Sequence, residues 1–151
     1  MKTPWMEMSV REFQSALASS SPTPGGGTAA AISLGQAAAL TIMVCDLTIG
    51  KEKWKSGWDI ANKALPICVK IMSRAGELAD LDSDAFDDVM AAYRMPKGDE
   101  NEIIMRKESI KKSSIVATEI PFETSKLALE ILEILPELAL KGNGNAVSDV
   151  G

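Results

Sequence analysis

Residues Pro22–Thr48, PTPGGGTAAAISLGQAAALTIMVCDLT, decide how the rest of the chain is read. Pro22 and Pro24 stiffen the approach, because each fixes φ and removes a backbone donor. Gly25, Gly26 and Gly27 then permit close approach of another group to the main chain. Thr28 is placed to cap the segment after it, and no charged residue appears from there to Cys45. Alanine, the best helix former, dominates the run, so it reads as a long buried helix. Its free N–H groups would point into the glycine loop, an arrangement that attracts anions and carbonyl oxygens. Gly27, Ala31, Gly35 and Ala39 recur at four-residue spacing and define a stripe of small residues for a closely packed partner helix. A membrane span is the competing reading, since the uncharged run approaches the required length. Alanine is only weakly apolar, Ser33, Gln36 and Thr41 interrupt the run, and no aromatic belt flanks both ends. A core helix is the better reading, and no membrane partner is expected.

A chain of 151 residues suits one domain with a real core. Apolar residues make up 46% and are not gathered into alternating strand-like runs, which predicts an all-α, multi-helix bundle around the alanine-rich helix. The net charge of −5 argues against general nucleic-acid binding. Cys45 and Cys68 sit in apolar helical context and read as buried free thiols. No secretory signal opens the chain, which fits a reducing cytoplasm. There is no histidine, so imidazole is absent as base, metal ligand or triad member. Chemistry falls to carboxylates, lysines, Tyr93, hydroxyls or backbone groups.

Outward from the central stretch, Ser9 to Glu12 match a capping box, and Val10, Phe13 and Leu17 form the apolar face of a short helix. Gly50 reads as a helix C-cap. A Walker loop ending at Gly50-Lys51 fails, because Cys45 and Glu52 stand where a glycine and a hydroxyl are needed. The next helix is predicted from about Trp54 to Leu81, kinked or split at Pro66. An EF-hand starting at Asp80 fails at Ala85 and Ala91. Asp82 or Ser83 is instead predicted to cap a new helix, stopped at Met95-Pro96-Lys97-Gly98. A basic-faced helix is predicted from about Glu100 to Glu119, and Pro121 opens another whose Leu127, Ile131, Leu135 and Leu138 pack inward. The Gly142-Asn143-Gly144-Asn145 turn leads to Ser148 or Asp149, either of which can start one more helix. The sum is one domain of about six helices.

Three stretches carry a resemblance. They are Pro22-Thr23-Pro24-Gly25-Gly26-Gly27-Thr28 with the helix after it and Leu47-Thr48-Ile49-Gly50-Lys51; Asp82-Ser83-Asp84-Ala85-Phe86 leading to Ala92-Tyr93-Arg94-Met95-Pro96-Lys97; and Gly142 to Gly151. In that order they resemble the formiminotetrahydrofolate cyclodeaminase / methenyltetrahydrofolate cyclohydrolase family, the helical domain also found fused behind a formiminotransferase. The resemblance implies an all-helical homodimer that takes a tetrahydrofolate derivative as substrate. Family members continue beyond the Ser-Asp-Val-Gly stretch into a further long helix. Residues 1–151 therefore read as a single cyclodeaminase/cyclohydrolase-like domain lacking that last helix.

Such an enzyme would act on a one-carbon unit bridging N5 and N10. As a cyclohydrolase it converts 5,10-methenyltetrahydrofolate to 10-formyltetrahydrofolate; as a cyclodeaminase it expels ammonia from a formimino group. Both reactions need a proton acceptor and a donor, and neither needs a metal or prosthetic group. Asp46, Asp84 and Asp149 are the carboxylate candidates, each lying in a family-like stretch. Asp46 comes after the uncharged run, where burial would raise its pKa; Asp84 and Asp149 are alternatively plain helix caps. One of the three would grip the pterin's amidine-like edge. Pro24, Gly25, Gly26, Gly27 and Thr28 would rim the pterin pocket, or form only a tight turn. Lys51 would donate to a folate carboxylate, assist proton transfer, or merely complement a helix dipole. Arg94 and Lys97 would hold the glutamyl tail, and Asn143, Asn145 and Ser148 would bind ligand amides or shape their loop. With no fused formiminotransferase in the chain, the cyclohydrolase is favoured over the cyclodeaminase. A non-catalytic folate- or protein-binding helical dimer is the alternative from another class.

Overall fold

Every regular element is helical in the computed structural model, which describes residues 3–151. A 3-10 turn at Trp5–Glu7 precedes α1 (Val10–Leu17) and α2 (Gly26–Thr48). A 3-10 helix at Glu52–Gly57 leads into α3 (Trp58–Arg94), after which come α4 (Glu100–Lys141) and a last 3-10 helix at Gly144–Asp149. The all-α expectation therefore holds, with fewer and longer helices than expected.

The merging has a physical cause. Asp82 and Ser83 cap nothing, because α3 runs through them to Arg94. Asp and Ser favour helix starts in isolation, but that preference is smaller than the gain from continuing a buried stripe. On α3 that stripe runs Cys68, Ile71, Ala75, Leu78, Ala79 and then Ser83 itself, each 0–3% exposed. Pro66 does not split α3, nor does Pro121 open a helix, since it lies inside α4. An interior proline removes one hydrogen bond and costs about 3 kcal/mol, which packing on either side can outweigh. Nor does a helix start at Ser148 or Asp149, both of which lie in the closing 3-10 segment.

Other signals read as written. Ser9 and Glu12 form the reciprocal capping box. Gly50, just past α2, has φ of 74°, the left-handed conformation that suits glycine. Met95 and Pro96 come directly after the last residue of α3, and Gly142 after the last of α4. The face proposed for α1 is different: Val10 is 69% exposed, and no α1 residue is buried. Phe13 meets the Trp5 ring edge-on at 6.0 Å.

On α2 the buried positions are Thr28, Ala31, Leu34, Ala38, Thr41, Val44, Cys45 and Thr48. The four-residue stripe of the sequence reading begins on this face and leaves it. Ala31 is fully buried and Gly35 lies 3.5 Å from the Ala75 Cβ if given a side chain, but Ala39 is exposed. Each four-residue step turns about 40° past a full circle, so three steps rotate the stripe by about 120°. Gly26–Thr48 is long and apolar enough to cross a membrane by length and composition, yet its buried face packs against protein.

Two compact units are defined. One takes in the residues up to Ile32 together with Gly76–Thr124; the other comprises Ser33–Ala75 and Ser125–Gly151. The second holds two apolar clusters, one around Val44, Cys45, Ala61, Ala64 and Leu138, the other around Leu34, Ala38, Cys68, Ile71 and Ile131.

Candidate functional site

In the first unit the glycine loop meets α3. Gly25 accepts from the Ala29 N–H at 3.0 Å, closing the first turn of α2, while Pro24, after a cis peptide bond, is buried. Thr23 donates its hydroxyl to the Asp87 carboxylate at 3.2 Å. Gly27 makes room for an acid: a Cβ there would collide with the carboxylate of Asp82, which would have to shift. The glycine thus admits an acid to the positive end of a helix dipole, where a negative charge is stabilised.

Thr28 is not an N-cap. It lies inside α2 with its hydroxyl aimed at α3, donating to Asp82 Oδ2 at 3.0 Å and meeting Ser83 Oγ at 2.9 Å. Ser83 Oγ also accepts from the Trp5 indole Nε1 at 3.0 Å. A hydroxyl has one hydrogen, and Thr28 gives its own to the carboxylate; Ser83 therefore donates to Thr28. The bonds form one directed series, Trp5 to Ser83 to Thr28 to Asp82. Thr28 and Ser83 are 0% exposed and Trp5 7%. The Trp5 backbone N–H adds a bond to Asp80 Oδ1 at 2.9 Å.

Asp82, Ser83 and Trp5 are absent from the candidates that sequence reasoning supplies. Asp82 and Ser83 resemble cap residues, and Trp5 is 75 or more positions from its partners. The available signal is register: the α3 stripe, continued by three or four residues past Ala79, lands polar side chains where apolar ones should stand. Asp84, two residues on, is exposed. Arg94 and Lys97 are also exposed, at and just beyond the end of α3. Arg94 lies twelve residues from Asp82, about 18 Å along the helix axis. The guanidinium of Arg106 closes this end, donating to the Tyr93 carbonyl at 3.1 Å and stacking 5.6 Å from its ring. A cavity of about 360 Å³ lies between α3 and α4, lined by Ala85, Asp88, Ala92, Met95, Ser109 and Lys112 among others. The three glycines do not line it.

The remaining candidates belong to the second unit. Asp46 is exposed, so the burial expected of it is not found. Lys51, Asn145, Ser148 and Asp149 are exposed as well. Asn143 donates from Nδ2 to the Leu47 carbonyl at 3.0 Å and accepts from the Asn145 N–H at 3.0 Å, so its amide shapes the loop. Thr48 anchors that loop, accepting from the Asn143 N–H at 3.0 Å while donating to the Val44 carbonyl at 2.7 Å. The Trp58 indole donates to the Thr48 carbonyl at 3.0 Å. Burial, with smaller contributions from Cys68 and Asp46, pushes the Cys45 thiol up to about 11. Burial and Glu130 raise Cys68 as well, so both thiols are protonated near neutral pH. Among the described residues no group of three or more His, Cys, Asp or Glu is placed to hold a metal ion.

These features define an all-helical domain built on a glycine-opened helix, with acid–base chemistry available to carboxylates. The sequence profile of the formiminotransferase-cyclodeaminase family matches residues 9–151, and the chain belongs to that family. It is similar to a methenyltetrahydrofolate cyclohydrolase of Methylorubrum extorquens, 40% identical over 143 residues, which covers 94% of this chain and 68% of that protein. It is also similar to a formimidoyltransferase-cyclodeaminase of Dictyostelium discoideum, at 34% identity over 97% of this chain but only 26% of that protein. Among solved structures, formiminotetrahydrofolate cyclodeaminase from Thermotoga maritima superposes with a TM-score of 0.81 at 26% identity, covering 96% of this chain and 68% of that one.

Proposed function

We propose that this chain is a folate one-carbon enzyme that hydrolyses 5,10-methenyltetrahydrofolate to 10-formyltetrahydrofolate, with Asp82 as its principal carboxylate. The observation that carries the reading is the Asp82 carboxylate seated on the side-chain-free face of Gly27. The substrate's methenyl carbon is part of a cationic amidinium, which a fixed carboxylate stabilises. Water adds to that carbon and loses a proton to the carboxylate; the C–N5 bond then breaks as N5 takes a proton. The balance is one water consumed and one proton released. Family membership and the similarity to the cyclohydrolase support this choice.

Within the proposal, Gly25 and Gly26 line the pterin end, the buried Pro24 and Thr28 shape that rim from behind, and Arg94 and Lys97 hold the glutamyl end of an elongated substrate. Asp84 is a further carboxylate of the same unit, to be ordered against Asp82 by substitution; Asp46 and Asp149, with Lys51 as a donor and Asn145 and Ser148 as polar groups, are the candidates of the second unit, each to be tested by substitution on its own. The substrate is the tetrahydrofolate derivative itself, the protein works in the cytoplasm, and it acts as a homodimer. An apolar strip on α2, Leu40, Met43 and Leu47, each 39–44% exposed, supports the last point. Release of ammonia from formiminotetrahydrofolate is the second reading, favoured by the Thermotoga maritima neighbour.

The test is the loss of the near-ultraviolet band of methenyltetrahydrofolate. Asp82→Asn should lower kcat by about 10²–10⁴-fold, the range for general acid–base groups, with melting temperature retained. Wild-type turnover in that variant removes Asp82 from the mechanism. Saturable binding with no turnover by the wild-type protein on either substrate leaves a non-catalytic folate-binding helical protein.

A further inference from the structure

The bonding series that ends on Asp82 begins outside the segment matched by the family profile, which starts at residue 9. From this we propose that Trp5 is a positioning residue: its indole holds Ser83 and Thr28 in the one orientation that presents Asp82 to the substrate. The proposal rests on the reading of Asp82 given above.

Four observations carry it. The direction of every bond is determined, because an indole N–H can only donate and the carboxylate accepts the last hydrogen. The intermediate hydroxyls are sealed from water, so neither can exchange its partner for solvent. Trp5 is held by its ring bond to Ser83 and by its backbone bond to Asp80. Met6, next in sequence, lies against Gly76, where an added Cβ would come 3.1 Å from its Cγ. A buried polar series is a poor way to gain stability alone, since apolar residues of equal volume pack as well without desolvation. Its use here is orientation. The indole fills one acceptor site of Ser83, the Ser83 hydrogen goes to Thr28, and the Thr28 hydrogen goes to Asp82.

The experiment compares Trp5→Phe, Ser83→Ala and their double variant with Phe13→Leu. The last removes the edge contact with Trp5 but leaves the indole N–H in place. Trp5→Phe and Ser83→Ala should each reduce kcat by about tenfold with KM within about twofold, and the double variant should be no slower than the worse single one. Phe13→Leu should lower thermal stability while keeping kcat per folded molecule. Equal kcat losses in Trp5→Phe and Phe13→Leu, or additive losses in the double variant, would overturn the proposal. A second measurement needs no turnover. In the ligand-free protein, Asp82→Asn should move the Trp5 indole N–H resonance, assigned by its loss in Trp5→Phe, while the Trp54 and Trp58 indole resonances stay in place. An unmoved Trp5 resonance refutes the coupling. Failure here and failure of the folate reading are separable. Full activity in Asp82→Asn defeats the function assignment, whereas an inactive Asp82→Asn beside a fully active Trp5→Phe defeats only the role of Trp5.

Discussion

Thr28 and Thr48 stand near opposite ends of α2, and both are fully buried. The Thr48 hydroxyl turns back on its own helix, donating to the Val44 carbonyl and accepting a loop N–H from Asn143. The Thr28 hydroxyl leaves its helix and meets a carboxylate and a second hydroxyl on α3. Burial and residue type are equal, so neither separates structural from functional threonine. The partner does. Main-chain partners consolidate a turn, whereas a titratable side chain at the end of a directed series is an arrangement that chemistry can use.

The sharpest break of that contrast is at Gly27. Gly27→Ala places a methyl group where the Asp82 carboxylate sits, so the acid must move. Turnover should drop by about 100-fold or more, since a displacement of about 1 Å at a reacting group has that effect. The decay of methenyltetrahydrofolate absorbance checks it, and a wild-type rate would show that the carboxylate has no catalytic role from this position. At the other end, Thr48→Val keeps shape but leaves the Asn143 N–H without its acceptor. Unfolding free energy should fall by about 1–3 kcal/mol in urea titrations, with kcat per folded molecule unchanged. A variant that loses activity but not stability would reverse the roles given to the two threonines. The smallest effect concerns the thiol one helical turn before Thr48. The folded-state pKa of Cys45 lies above its ordinary value of 9.0, at about 11, so the folded protein keeps a proton the unfolded chain releases. Stability should be unaffected below about pH 9 and decline as pH rises from there towards 11. Melting temperature across pH 7 to 10.5 tests this, and Cys45→Ala should flatten the decline.

Much of the architecture was legible because local chemistry and packing agree there. The Ser9 cap, the glycine after α2 and the Met95-Pro96 stop each act within a few residues of themselves. Reading failed where a distant contact outweighed local preference. Asp82 and Ser83 carry the signature of a helix start, but Trp5 and Thr28, 78 and 55 residues away from Ser83, hold them inside a continuous helix. The site went the same way. Within the glycine run, Gly27 takes a close approach, while the identity of the approaching acid, Asp82, depends on the rotation of α3, which no local pattern encodes.

The interleaving of the two units has a consequence for how the protein is made. Residues 76–124 complete the unit that contains Trp5, so that unit has all its segments before the stretch after Ser125 is made. The other must wait for the segment after Ser125, because Ser56 bonds the Lys141 carbonyl and Thr48 receives Asn143 across separations of 85 and 95 residues. Vectorial synthesis therefore delivers the Asp82 end before the apolar surfaces of α2 and α3 between Ser33 and Ala75 have their covering helix. Apolar surface left uncovered in that interval is the kind that makes a partly made chain prone to aggregate.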